Sequence, residues 1–186
     1  MAEKRNLILS PHVDDELLGC FSFLNDETHV MECGADEFHV VDRKERLREL
    51  EDLANHCKFT YEVFDNIVNN YVLQDLIEQI TTVINTTQPE KIFIPYPSYN
   101  QDHRTVYNAT MVALRPHDKN YFVKKVFIYE QPHMLFWDNG GVDFKPNHFV
   151  PIDIEKKVNV YECMKSQVRS FRSPEHLRAI GKLRGG

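Results

Sequence analysis

The sequence has no long apolar run. After the charged opening Met1-Ala2-Glu3-Lys4-Arg5, only Leu7-Ile8-Leu9 intervenes before Ser10, far too short for a signal-peptide core or a membrane span, so a cytoplasmic protein with no membrane partner is expected. It also lacks an excess of cations: 22 basic residues face 28 acidic ones, for a formal charge of −6. With no basic patch to release counterions, a nucleic-acid backbone is excluded as the expected partner. Paired cysteines are missing too. Cys20, Cys33, Cys57 and Cys163 form no CxxC motif and fall within apolar patterns, so they read as small buried hydrophobes rather than metal or redox groups. There is no internal repeat at domain scale, no low-complexity tract and no linker. The 186 residues, 42% of them hydrophobic, therefore suit one domain spanning 1–186, long enough to bury about 70% of its unfolded surface.

What is present is an alternation of two periodicities. Leu7-Ile8-Leu9 and the stretches 29–33, 60–64, 91–95 and 123–130 read as strands. Between them run helical patterns: one burying Leu17, Phe21 and Leu24, one over 43–58 with Leu47, Leu50, Leu53, Ala54 and Cys57 on one side, and one over 72–85. Such alternation predicts βαβ units and a Rossmann-like three-layer α/β/α domain with a mostly parallel sheet of about five strands. The run Val126-Phe127-Ile128-Tyr129 reads as too continuous for an exposed edge. Residues 149–153 read as a short edge strand, since Pro151 is unsuited to a central one. Val158, Tyr161, Met164 and Val168 mark a last long helix, and 175–182 a shorter one. Residues 35–41, with Asp36 and Glu37, read as a loop. The segment 134–147, with the sole tryptophan and Gly140-Gly141, suits a mobile flap.

Chemistry concentrates in two loops. Ser10-Pro11-His12-Val13-Asp14-Asp15-Glu16 joins the first strand to the first helix, and ligands in open α/β sheets bind at the carboxyl ends of strands. His12 and Asp15 are three residues apart across a turn, so an imidazole nitrogen and a carboxylate oxygen can converge on one cation, as in zinc sites with ligand distances of roughly 2.0–2.2 Å. Asp14 is then left beside the metal, where it can take a proton from water. Acidic residues in a first helical turn also complement the helix dipole without any metal, so a second half-site is needed. Pro95-Tyr96-Pro97-Ser98-Tyr99-Asn100-Gln101-Asp102-His103-Arg104 supplies one, again between a strand and a helix. Here Asp102 can equally be an N-cap and His103 a surface residue, but the repeated architecture would bring both histidines to one sheet edge.

These residues carry a family resemblance. PHVDDE resembles the A-H-P-D-D-E motif of the PIG-L/LmbE deacetylases, zinc enzymes that act on N-acetylglucosamine-type amides. NQDHR is similar to that family's H-x-D-H motif, and Arg46-x-x-Glu49 to its R-x-x-E. The resemblance runs from about residue 6 to 167 and is carried by about fifteen positions. It implies one zinc ion on His12, Asp15 and His103, Asp14 as general base, Arg46 reaching substrate hydroxyls, and a small N-acylated substrate such as an amino sugar. Relatives of this type continue beyond a position like Gly185-Gly186. Val13 replaces the family's proline. Asn100 replaces the first histidine of H-x-D-H, a residue taken to stabilise the transition state, so the oxyanion would fall to Asn100, or to Tyr99 or His133 at the following strand ends. Asp102 joins them as a candidate catalytic residue.

Two other readings stand beside this one. A metal-binding homologue without catalysis accommodates the Asn100 departure. A magnesium-binding phosphoacceptor domain, with Asp65 as its acceptor, accommodates the acidic pair after the first strand, but the fifth strand ends Tyr129-Glu130-Gln131, without the lysine such receivers need.

Overall fold

The computed structural model describes residues 5–35, 41–116, 121–135 and 144–185. Five parallel strands form its sheet: β1 (Asn6–Ser10), β2 (Thr28–Glu32), β3 (Thr60–Val63), β4 (Lys91–Pro95) and β5 (Lys125–Tyr129), in the order β3-β2-β1-β4-β5. Among the described residues six α-helices accompany them: α1 (Asp15–Cys20), α2 (Arg43–Cys57), α3 (Leu73–Thr87), α4 (Gln101–Ala113), α5 (Ile154–Tyr161) and α6 (Pro174–Gly185). This is the expected three-layer α/β/α architecture.

The layering follows from the two-residue period of β1. Leu7 and Leu9 point to one face and meet Leu76, Ile80 and Val83 of α3 and Val106 and Ala109 of α4. Ile8 points to the other, among Leu17 of α1, Leu50 and Leu53 of α2, Val158 and Tyr161 of α5 and Leu177 of α6. The middle of β1, Leu7 to Leu9, is apolar and buried on both faces, so its polar residues fall at the strand's ends and in the loop at its carboxyl edge. The order reverses between β1 and β4, and both motif loops emerge there, at the topological switch point where α/β proteins bind ligands.

The same topology argues against the phosphoacceptor reading. In the flavodoxin-like order of such domains the first strand lies between the second and third, whereas here β1 lies between β2 and β4. Asp65 lies on the surface, paired with Arg43 at 2.6 Å.

Four expectations are corrected. Among the described residues β5 is an edge strand, and Val126 and Ile128 are 44% and 41% exposed; only alternate residues, Phe127 and Tyr129, face the core. Residues 149–153 join no ladder among the described residues. Ser22 Oγ donates to Pro151 O, and Asp153 accepts from the Lys156 amide as the N-cap of α5. The last long helix breaks at Tyr161: Val168 is 36% exposed while Gln167 is fully buried, because the chain turns to satisfy polar groups rather than to continue an apolar stripe. Cys163 is exposed, unlike the buried Cys20 and Cys33. Asp36, Glu37 and residues 136–143 of the expected flap lie outside the described residues. Among the described residues no helix is long and apolar enough to cross a membrane.

Candidate metal and catalytic site

The first loop is built by its own polar groups. Ser10 Oγ donates to Glu16 Oε2 at 3.0 Å, and the Asp14 amide donates to the same oxygen at 3.0 Å. That closure forces Asp14 to φ 138°, a conformation that costs a non-glycine residue roughly 1–3 kcal/mol and is kept where the surroundings over-determine it. The His12 amide donates to Asp15 Oδ2 at 3.1 Å, and Tyr71 OH donates to Pro11 O. The loop is thus tied down on both sides before any ligand enters.

Asn100 caps α4: its Oδ1 accepts from the Asp102 amide at 2.8 Å, leaving the side-chain NH2 as its available donor. The cap points the first turn of α4 at β1. Asp102 and His103, both buried, reach the first loop.

The two loops come together at one sheet edge. Ligand atoms from His12, Asp15 and His103 all lie within 4.8 Å of one another. Asp15 Oδ2 is the focus, 3.3 Å from His12 Nδ1 and 3.2 Å from His103 Nε2. The other nitrogen of His12, Nε2, lies 2.9 Å from Asp102 Oδ2, which also accepts from the Asn69 amide at 2.7 Å. A carboxylate behind a ligating imidazole fixes its tautomer and orientation. Asp102 touches His12 on the side away from Asp15.

Burial disfavours the His12 imidazolium, yet the hydrogen bonds to Asp102 and Asp15 outweigh it and raise its pKa to about 10. Burial likewise disfavours the Asp15 carboxylate, and His103 and His12 overcome it, holding Asp15 well below the usual range. Two imidazoles with one carboxylate also form a donor set suited to a divalent ion such as zinc. The residues present fit a single divalent ion. Asp14 differs: burial raises its pKa, with Arg172 pulling the other way. Beneath the loop, burial first and Asp14 second raise Glu16 to about 7, and burial with Glu16 beside it raises Glu32 as well.

The remaining candidates are spread around this centre. His133 follows β5 in a 3-10 turn, with its ring 5.4 Å from that of His103 and its Nε2 3.2 Å from Ser98 Oγ. Burial and the neighbouring His103 lower its pKa to about 4, so the imidazole is neutral. Tyr99 packs edge-on against His133 at 5.2 Å and is exposed. Arg46 is only 1% exposed: its guanidinium donates to Val13 O at 3.3 Å and to Gln167 Oε1 at 2.9 Å. Arg172, whose NH1 lies 2.7 Å from Asp14 Oδ2, was not found by sequence reasoning, and no motif surrounds it. Ser98, Gln167 and Tyr71 were missed likewise. A cavity of about 870 Å³ opens between α1, β5, α5 and α6, with Phe21, Phe127 and Phe149 in its wall; His12, Asp15 and His103 do not line it, so its size does not bear on what the candidate site accepts.

No family model and no curated protein matches the chain. Solved structures do. The conserved protein TT1542 from Thermus thermophilus superposes with a TM-score of 0.77 at 17% identity, over 97% of this chain and 86% of that one. The 4-carboxy-2-hydroxymuconate hydratase GalB from Pseudomonas putida gives 0.74 at 18%, over the same shares. The zinc-inhibited form of teicoplanin deacetylase Orf2 gives 0.71 at 15%, over 96% of this chain and 92% of that one. At these identities the likeness establishes the fold.

Proposed function

We propose that the chain is a zinc-dependent amidohydrolase that removes the acetyl group from an N-acetylated amino sugar or sugar conjugate. The observation that carries this reading is the convergence of His12, Asp15 and His103 at the switch point with the strained, buried carboxylate of Asp14 next in sequence. The deacetylases among the structural neighbours, one of them solved with teicoplanin, support the choice of substrate class.

Zinc held by His12, Asp15 and His103 would supply Lewis acidity to an amide carbonyl and lower the pKa of a water toward neutrality. Asp14 would take a proton from the attacking water as its oxygen bonds to the acetyl carbon, and return it to the amine nitrogen as the C–N bond breaks, so a single carboxylate serves as base and then acid. Its buried setting favours the protonated form it must briefly hold. In this reading His133, neutral and held against Ser98, or the NH2 of Asn100 would donate a hydrogen bond to the oxyanion; one such donor is worth about 10²–10³ in rate. Asp102 keeps the Nε2 proton of His12 on its far side, so Nδ1 presents its lone pair. Tyr99, exposed beside His133, is the side chain best placed to meet the sugar. With Arg46 engaged beneath the loop, contact with sugar hydroxyls falls to the rim.

The test is acetate release from a panel of N-acetyl amino sugars and their conjugates, by protein stripped of metal and by protein reloaded with zinc. Release that requires zinc and disappears in Asp14→Asn, with zinc still bound, is the expected result. A zinc-loaded protein that cleaves nothing in the panel would point to a homologue that binds metal without catalysis.

A further inference from the structure

The segment 166–173, between α5 and α6, is anchored more elaborately than a surface connection needs to be. The Ser166 amide donates to Glu49 Oε1 at 2.8 Å, Ser166 Oγ donates to Glu49 Oε2, and Tyr161 OH donates to Gln167 O at 2.7 Å. Gln167 Oε1 then accepts from two guanidinium groups at once, Arg46 at 2.9 Å and Arg172 at 3.1 Å. Those two arginines act on consecutive residues of the metal loop: Arg46 on the carbonyl of Val13 at 3.3 Å, Arg172 on the carboxylate of Asp14 at 2.7 Å.

This arrangement does not read as a stabilising device. A buried ion pair is weak support for stability, because desolvation offsets its Coulombic gain, and here two guanidiniums surround a backbone already held at φ 138°. Such expense at a strained residue points to function. We propose that Arg172 is a positioning residue for Asp14, delivered by the 166–173 segment, with Gln167 and the Arg46-x-x-Glu49 pair of α2 as its anchors. The inference rests on the reading of Asp14 as the base.

Physically, the planar guanidinium spans two partners, with NH1 2.7 Å from Asp14 Oδ2 and NH2 donating to Gln167 Oε1 at 3.1 Å, so Gln167 orients the cation over one oxygen of the carboxylate. The ion pair draws Oδ2 toward Arg172 and leaves the other oxygen for proton transfer. Loss of that restraint leaves a base that is present but misplaced, which reduces turnover without weakening substrate binding.

The experiment uses the full chain loaded with zinc and a panel substrate that the parent cleaves. Arg172→Met should lower kcat by roughly 10–10²-fold with KM within about twofold and zinc content unchanged. Arg172→Lys, which keeps the charge and the fold but not the fork, should recover little. Arg172→Gly should regain part of its kcat when guanidinium chloride is added at millimolar concentration, a response that a scaffold residue does not give. Arg172→Met or Arg172→Lys with the parent's kcat overturns the proposal and leaves the deacetylase reading intact, as does a loss that guanidinium cannot rescue. A zinc-loaded parent that releases no acetate from any panel member overturns the deacetylase reading first, and the role of Arg172 with it.

Discussion

Replacing Asp102 with asparagine isolates the support behind His12. Asp102 Oδ2 lies 2.9 Å from His12 Nε2 and 2.7 Å from the Asn69 amide, and both hydrogen bonds are strengthened by the carboxylate's charge. Asparagine has nearly the same shape, and because both partners meet the same oxygen its carbonyl can still accept from both, but without the charge that strengthens each bond. The hold on the His12 Nε2 proton weakens, and with it the preference for the tautomer that presents the Nδ1 lone pair to a metal. Losing such an outer partner typically costs roughly 10–100-fold in metal affinity, which is about 1.4–2.8 kcal/mol. The assay is competition for zinc between the protein and a chromogenic chelator, run on the parent, Asp102→Asn and His12→Ala. Asp102→Asn should fall between the other two. If it binds zinc as tightly as the parent while His12→Ala does not bind, then Asp102 does not set the imidazole and the reasoning fails.

Three further outcomes are expected. Adding a Cβ at Gly19 would place it 2.3 Å from Tyr129 Cδ2, in a ring whose hydroxyl donates to Leu9 O at 2.8 Å, so Gly19→Ala should destabilise by about 1–3 kcal/mol in a denaturant melt; an unchanged midpoint contradicts this packing. Asn100→Ala should lose about 1 kcal/mol of cap energy, whereas Asn100→Asp keeps the cap but not the NH2 donor; if the Asp variant matches the parent in kcat, the oxyanion donor is His133. Lys157 is buried with its ammonium on Leu18 O at 2.5 Å, and burial lowers its pKa from 10.5 to about 8. Between those values the unfolded chain holds a proton that the folded chain has released, so its contribution makes stability rise with pH across that window, and the full cost, roughly 3 kcal/mol, is present below it. Lys157→Met should flatten that rise; identical stability–pH curves for the two proteins would show that the ammonium is not desolvated.

Much of this was legible in the sequence, for identifiable reasons. β1 and β4 are short apolar runs closed by polar loops, and burial on both faces is what such runs report. The loop residues that followed them could hardly avoid the switch point. Periodicity failed where polar groups decide the path. At Tyr161 the helical stripe continues on paper through Met164 to Val168, but buried Glu49 and Arg46 need partners, and the chain leaves the helix to bring them Ser166 and Gln167. Arg172 carries no local signal, since its role depends on a turn that the apolar pattern does not encode. β5 shows the converse limit. Val126 and Ile128 are apolar but exposed, because a continuous apolar run states what a strand can bury, and its place in the sheet decides what it does bury.

The central claim is that His12, Asp15 and His103 hold one divalent cation. Elemental analysis of the purified protein after dialysis, with His12→Ala and His103→Ala in parallel, tests it most directly. The account predicts about one zinc per parent chain and loss of that ion in either variant with the fold retained by circular dichroism. Full metal content in both variants, or a parent that binds no divalent ion when zinc is supplied, would contradict it.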